Sequence, residues 1–311
     1  MENIHKQSLI AFAVFTTALT GCTNIDFREP ITSYNQGMST SGAILSTYYS
    51  GLNDAARTTY LLQAKYTEPP QEVFEQVGSQ RTGLVSVFPP EAIKARLDAV
   101  SLINQYGSKL AQLAGTNSPE RINKGVVNIG TAYTGLANNF SDAAKLGNND
   151  TSVKYIQPVS SIVGVLLAKY EDDNRDRLLA DAVKAGHGPV DTILLLLEAD
   201  IPIMYSLAKS NASAQLSAAT TYYNKNRLNI SFPERSARLD EISSLAKTYQ
   251  ILTITQPTDV VIAMREANAA LLTYAENPKD KNRIVTLTSE LDTFNSRIAP
   301  IAQALNQLRS N

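Results

Sequence analysis

The chain of 311 residues contains one cysteine, two histidines and no tryptophan. Each scarcity narrows the chemistry. A single cysteine, Cys22, has no partner for an internal disulfide. With so few histidines, there is no Cys/His zinc set, no CxxCH haem attachment and no pair of Glu-x-x-His motifs for a di-iron bundle. The formal net charge is −1, so no excess of either sign points to nucleic acid or to strong attraction toward anionic lipid. Beyond the N-terminus no run approaches the ~20 apolar residues of a membrane span. The most apolar stretch, Ile193–Leu197, is interrupted by Glu198 and Asp200. The glycine-rich phosphate loops, the nucleophile elbow G-x-S-x-G and the Asp-x-Asp-x-Asp-Gly calcium spacing are all missing from the sequence.

What is present begins at the N-terminus. Met1–Gln7 is polar and carries Lys6, Leu9–Phe15 is a short apolar block, and Thr16–Gly21 is small or weakly apolar. That order is a secretory signal. It ends in Leu19-Thr20-Gly21-Cys22, which resembles the lipobox of bacterial lipoproteins. The resemblance covers these four residues and the stretch before them. It implies that residues 1–21 are a signal peptide, that the Cys22 thiol receives a diacylglycerol (with palmitate-type chains), and that cleavage falls just before it. Two or three acyl chains, at ~0.8 kcal/mol per buried CH₂, hold far more firmly than one. Thr23 stands where many Gram-negative lipoproteins carry an inner-membrane retention Asp, so the resemblance implies outer-membrane sorting in a Gram-negative envelope.

The mature part is expected to open with a flexible tether over 22–37, because Thr23–Gly37 is polar and holds Pro30 and Gly37. From 38 to 311 the dominant pattern is helical. Apolar positions recur at steps of three and four in Leu45, Tyr48, Leu52, Ala55, Thr59, Leu62, Tyr66. The same steps run through Ile93 to Leu113 (with one seven-residue jump), Ile122 to Ala143, and Ile284 to Leu308. Such seams belong to helices packed at shallow angles. Punctuation agrees with them: Pro89-Pro90-Glu91, Ser118-Pro119-Glu120, Ser231-Phe232-Pro233-Glu234 and Gln256-Pro257-Thr258-Asp259 read as helix starts. Gly186-His187-Gly188-Pro189 reads as a break. The expectation is an all-α, elongated bundle of long, coiled-coil-like antiparallel helices at about 39–67, 90–115, 119–146, 151–185, 189–228, 233–254, 258–276 and 280–309.

Candidate chemistry is thin. His187 is the one histidine left after signal removal. It reads as a structural residue at a helix junction, the alternative being a Ser-His-Asp triad that would need it. The Gly-x-His-x-x-Glu motif of imelysin-type lipoproteins is not met around it. Asp191 and Glu198 are seven apart, hence on one helix face, and Asp200 is close by. They read as the solvated side of an amphipathic helix whose seam is Val190, Ile193, Leu194, Leu197, Ile201 and Met204, or else as an internal polar or cation-binding spot. Glu171–Arg177 mixes signs, as an exposed helix face does. Tyrosines at 48, 49, 60, 66, 106, 133, 222 and 223 read mainly as core. No catalytic, cofactor or metal residue is assigned, and the one assigned site is lipidation at Cys22. The expected function is a non-enzymatic, outer-membrane-anchored lipoprotein that binds a protein or cell-wall partner. Two alternatives remain open. One is a pore-forming-like protein that uses Tyr155–Tyr170 and Val190–Leu207. The other is an envelope enzyme working through carboxylates alone.

Overall fold

The computed structural model describes residues 28–69, 71–75, 83–84, 88–115, 175–278 and 280–309. Their regular structure is α-helix throughout. Six helices run in the order α1 (Arg28–Tyr66), α2 (Pro90–Gly115), α3 (Arg175–Asn226), α4 (Phe232–Ile254), α5 (Pro257–Glu276) and α6 (Lys281–Arg309). Cys22, the expected helix 119–146, most of the expected helix 151–185, and the segments Ile122–Ala143 and Tyr155–Tyr170 lie outside the described residues.

The all-α bundle is the architecture found. α1 packs against α2, α3, α5 and α6, and α3 packs against α1, α2, α4 and α5. α3 and α4 run antiparallel, as do α5 and α6, where Glu266 meets Arg297 and Thr273 meets Arg283. α1 lies parallel to α3, since Tyr49 reaches Asp200 and Thr59 reaches Asn211. At 52 residues, α3 is ~78 Å long, and α4 and α5 cover it one after the other in the opposite direction. Tyr205 on α3 donates to the Leu252 carbonyl near the end of α4, and His187 meets Asn268 of α5. The described residues therefore form a thick body of five helices and a thinner distal part. That part is made of the C-terminal halves of α1 and α3 together with α4.

The seams do the burying. Leu45, Tyr48, Leu52 and Tyr66 of α1, Val100, Ile103, Leu110 and Leu113 of α2, and Leu287, Leu291, Phe294 and Ile298 of α6 are all buried. So is the whole α3 seam, Val190, Ile193, Leu194, Leu197, Ile201 and Met204. Each such side chain contributes ~1.5–3 kcal/mol. The seven-residue jump in α2 is filled by the buried Tyr106.

Two expectations are corrected. The tether over 22–37 does not extend past residue 27, because α1 is helical from Arg28 and buries Ile31, Tyr34 and Met38. These continue the three-and-four spacing upstream of Leu45. Pro30 sits in the first turn, where its missing N–H costs nothing. Gly37 is a point of contact, since a Cβ there would overlap the Phe294 ring of α6. The break at 186–189 is also absent: α3 passes through Gly186, Gly188 and Pro189 as helix. A Cβ on Gly186 would overlap the Tyr106 ring of α2. The glycine lets two helices approach closely, and Val183 and Val190, buried on either side, keep the helix in place across the bond that Pro189 cannot make.

Candidate functional site

Three polar clusters tie α3 to its neighbours within the body. The first takes up the two acids on one face of α3. Arg265 of α5 donates from Nε to Asp191 Oδ1 at 2.9 Å and from Nη1 to Glu198 Oε2 at 2.7 Å. The hydrogen bond to Asp191, more than the counteracting desolvation, holds the Arg265 guanidinium above its ordinary pKa. The position between the two carboxylates is thus filled by an arginine of the chain itself. The second cluster centres on Asp200, which receives Arg96 of α2 through two hydrogen bonds of 2.6 Å and Tyr49 Oη of α1 at 3.4 Å. The fork of a guanidinium on a carboxylate fixes orientation as well as attraction.

The third cluster contains His187. Asn268 of α5 is 0% exposed; its Nδ2 donates to the His187 carbonyl at 3.2 Å, and His187 Nδ1 lies 3.1 Å from that Nδ2 and 3.3 Å from the Asn268 carbonyl, its partner set by the tautomer. Asn268 Oδ1 accepts from Tyr34 Oη at 3.4 Å. Burial holds the Tyr34 phenol well above its usual range, so it remains a donor. His187 is accordingly half-buried in mid-helix as a hydrogen-bond partner of a core asparagine. Among the described residues no group of three or more His, Cys, Asp or Glu side chains comes together as a metal set.

The distal part is held differently. Tyr66 of α1 hydrogen-bonds Glu241 of α4, Lys65 Nζ donates to Glu241 Oε1 at 3.0 Å, and Arg238 Nη1 donates to Tyr66 Oη at 3.1 Å. The Tyr66 and Tyr222 rings lie 4.9 Å apart, and the Arg238 guanidinium carbon sits 5.5 and 5.6 Å from their centroids. Such contacts contribute ~0.5–1 kcal/mol where solvent reaches them. Burial raises the Glu241 carboxyl, but the hydrogen bonds from Tyr66 and Lys65 and the Lys65 charge outweigh it and hold the group below the usual range. A little beyond, Lys225 donates to Glu68 at 2.5 Å. The turn between α3 and α4 then presents Leu228 and Phe232, 86% and 77% exposed.

Where α1, α3, α4 and the end of α6 meet, the packing leaves an open groove of about 330 Å³. Small residues produce it. Gly51 and Ala55 of α1 and Ala208 and Ala212 of α3 line it together with Leu252 of α4 and Leu305 of α6. Buried Gln215 ties the two long helices beneath it, donating to Thr59 Oγ1 at 2.9 Å and to the Ala55 carbonyl at 3.1 Å.

Of the residues singled out in the sequence, Asp191, Glu198 and Asp200 are brought into ion pairs, and Tyr48, Tyr49, Tyr66 and Tyr106 into the core. The groove, the Glu241 cluster and Asn268 were not singled out. Asn268 carried a signal: it falls on the apolar stripe of Val260, Val261, Met264, Ala267 and Leu271, where a polar residue needs a partner. No protein-family model, no curated protein and no solved structure matches the chain.

Proposed function

We propose that this chain is a lipid-anchored protein of the bacterial envelope, of outer-membrane type. In this reading it acts as a non-enzymatic helical module that binds a protein or cell-wall partner. The observation that carries the reading is Leu19-Thr20-Gly21-Cys22, which ends six residues before the start of α1. A lipid at Cys22 would join the membrane to a helix of 39 residues, ~58 Å from end to end. At the far end of that helix lies the α3–α4 turn with its exposed Leu228 and Phe232. Exposed aromatic and aliphatic residues at a turn are the kind of anchor that binding surfaces use. The acids that an enzyme of carboxylate chemistry would need are engaged by Arg265 and Arg96, which supports a binding role over a catalytic one. The pore-forming alternative requires Val190–Leu207 to leave the body, and its seam is buried there. Among the described residues no helix is long and apolar enough to cross a membrane.

The test is palmitate labelling in the native envelope, with a pull-down in parallel, for the wild type and Cys22→Ala. Label on the wild type alone, with a partner recovered that Leu228→Ser/Phe232→Ser loses, is the expected result. Absence of label on both forms would overturn the anchor, and full recovery by the double variant would move the binding surface elsewhere.

A further inference from the structure

We infer that the groove between α1, α3 and α4 is a binding site for a neutral lipid, one that inserts a single aliphatic chain. Its volume, about 330 Å³, is at the lower end of small-molecule pockets, and it lies between bundle helices, where such pockets form. The wall is made of Gly51, Leu52, Ala55, Ala208, Ala212 and Leu252, which offers an aliphatic chain contact along its length and gives a polar chain nothing.

Charge decides between classes of lipid. Among the described residues the one acid on the wall is Asp54, which accepts from Arg57 at 3.0 Å. That neighbouring cation opposes the approach of a cationic head group. Among the described residues no lysine or arginine lines the groove, so an anionic head such as a fatty-acid carboxylate finds no ion partner in this wall. The polar groups that remain are uncharged: Thr47 and Thr58 on α1, Thr248 on α4 and the Gln215 amide, with the Thr47 and Thr248 hydroxyls donating to the Ala43 and Ser244 carbonyls and keeping their oxygens as acceptors. They match the hydroxyls of an uncharged head group such as a monoacylglycerol. Tyr48, 6% exposed, also lines the site. This inference does not depend on the anchor at Cys22.

Gly51 supplies the test. A Cβ added there meets nothing within 4 Å, so a larger side chain enters the groove rather than the core. Replacing a helical glycine also raises helix propensity by up to ~1 kcal/mol, so Gly51→Leu fills the site without a folding penalty. The full-length protein, held in nanodiscs free of detergent, is irradiated with a photoactivatable monoacylglycerol, and the labelled peptides are mapped. Adducts are expected on the peptides spanning 47–58 and 208–215. They should be displaced by unlabelled monoacylglycerol and reduced about tenfold by Gly51→Leu, the equivalent of ~1.4 kcal/mol. The thermal midpoint of that variant should be equal to or above the wild type. Wild-type mapping stands by itself. Adducts confined to other peptides would overturn the site, equal labelling by a photoactivatable fatty acid would overturn the neutral head group, and undiminished labelling in a folded Gly51→Leu would overturn the groove as the place of binding.

Discussion

The body and the distal part of this molecule are built from the same long helices but held by different forces. α5, in the body, buries ten of its 20 residues, whereas α4, which continues it along α3, buries only Ile251 of 23. That contrast decides what each helix depends on. α5 is fixed by apolar area, and its polar contacts to Asp191, Glu198 and His187 add orientation. α4 has little area to contribute and rests on Glu241, Arg238 and Leu252 meeting α1 and α3. The facing surfaces differ in the same way. In the body, large side chains interdigitate, and helices touch where glycine permits it, at Gly37, Gly42 and Gly186. In the distal part α3 presents alanines at 208, 212 and 219, and the groove lies beside the first two.

The largest expected effect comes from attacking the body where it is fully buried. Leu194→Ala removes a side chain at 0% exposure and should cost about 2–5 kcal/mol, read as a lower midpoint in denaturant unfolding. The same change at Leu239 of α4, 46% exposed, should stay within about 0.5 kcal/mol. Equal losses at the two positions would dissolve the distinction between the regions. Next in size is Asn268→Ala. It leaves Tyr34 Oη without its acceptor and the His187 carbonyl without its side-chain donor, and unsatisfied buried groups of this kind cost about 1–3 kcal/mol. Asn268→Asp would sharpen the point: it keeps an acceptor for Tyr34 but buries a charge.

Much of the body was legible in the sequence because apolar periodicity reports burial directly. The α3 seam from Val190 to Met204 and the α6 seam from Leu287 to Ile298 are buried as the spacing predicts. The readings that missed relied on single residues as punctuation. Pro30, Gly37 and the Gly186–Pro189 cluster resemble helix breakers taken alone. The roles of Gly37 and Gly186 depend on Phe294 and Tyr106, which are distant in sequence. The acids at 191, 198 and 200 were visible, but their partners Arg265 and Arg96 stand on other helices, and no local pattern links them. The distal latch was harder still. α4 is only weakly amphipathic, with polar residues around its whole circumference, so its buried side had no stripe to betray it. The groove had no sequence signature either: alanines spaced by four are compatible with tight packing and with a gap.

The smallest expected effect is also the one that separates the regions most cleanly, because it uses pH. Glu241 is held below the usual carboxylate range by Tyr66 and Lys65 against the opposing effect of burial. A group with a depressed folded pKa contributes its stability in full above the unfolded value, ~4.3 for glutamate, and loses it as pH falls through the folded value. Acid therefore removes the one carboxylate between Lys65 and Arg238 and leaves two cations beside each other next to Tyr66 and Tyr222. Hydrogen exchange, corrected for the intrinsic rate at each pH, should show protection of the α4 amides falling below ~pH 4.3 before that of α5, whose hold is apolar. Glu241→Gln should bring part of that loss to neutral pH, up to about 1 kcal/mol for a pair that solvent still reaches, and should flatten the acid dependence of α4. An unchanged acid profile in Glu241→Gln would assign the loss to Glu68, which the hydrogen bond from Lys225 holds below the usual range on the same part of the molecule. In that case the distal part would still be the acid-sensitive region, but held by its exposed Lys225–Glu68 pair and not by the tyrosine-lined contact between α1 and α4.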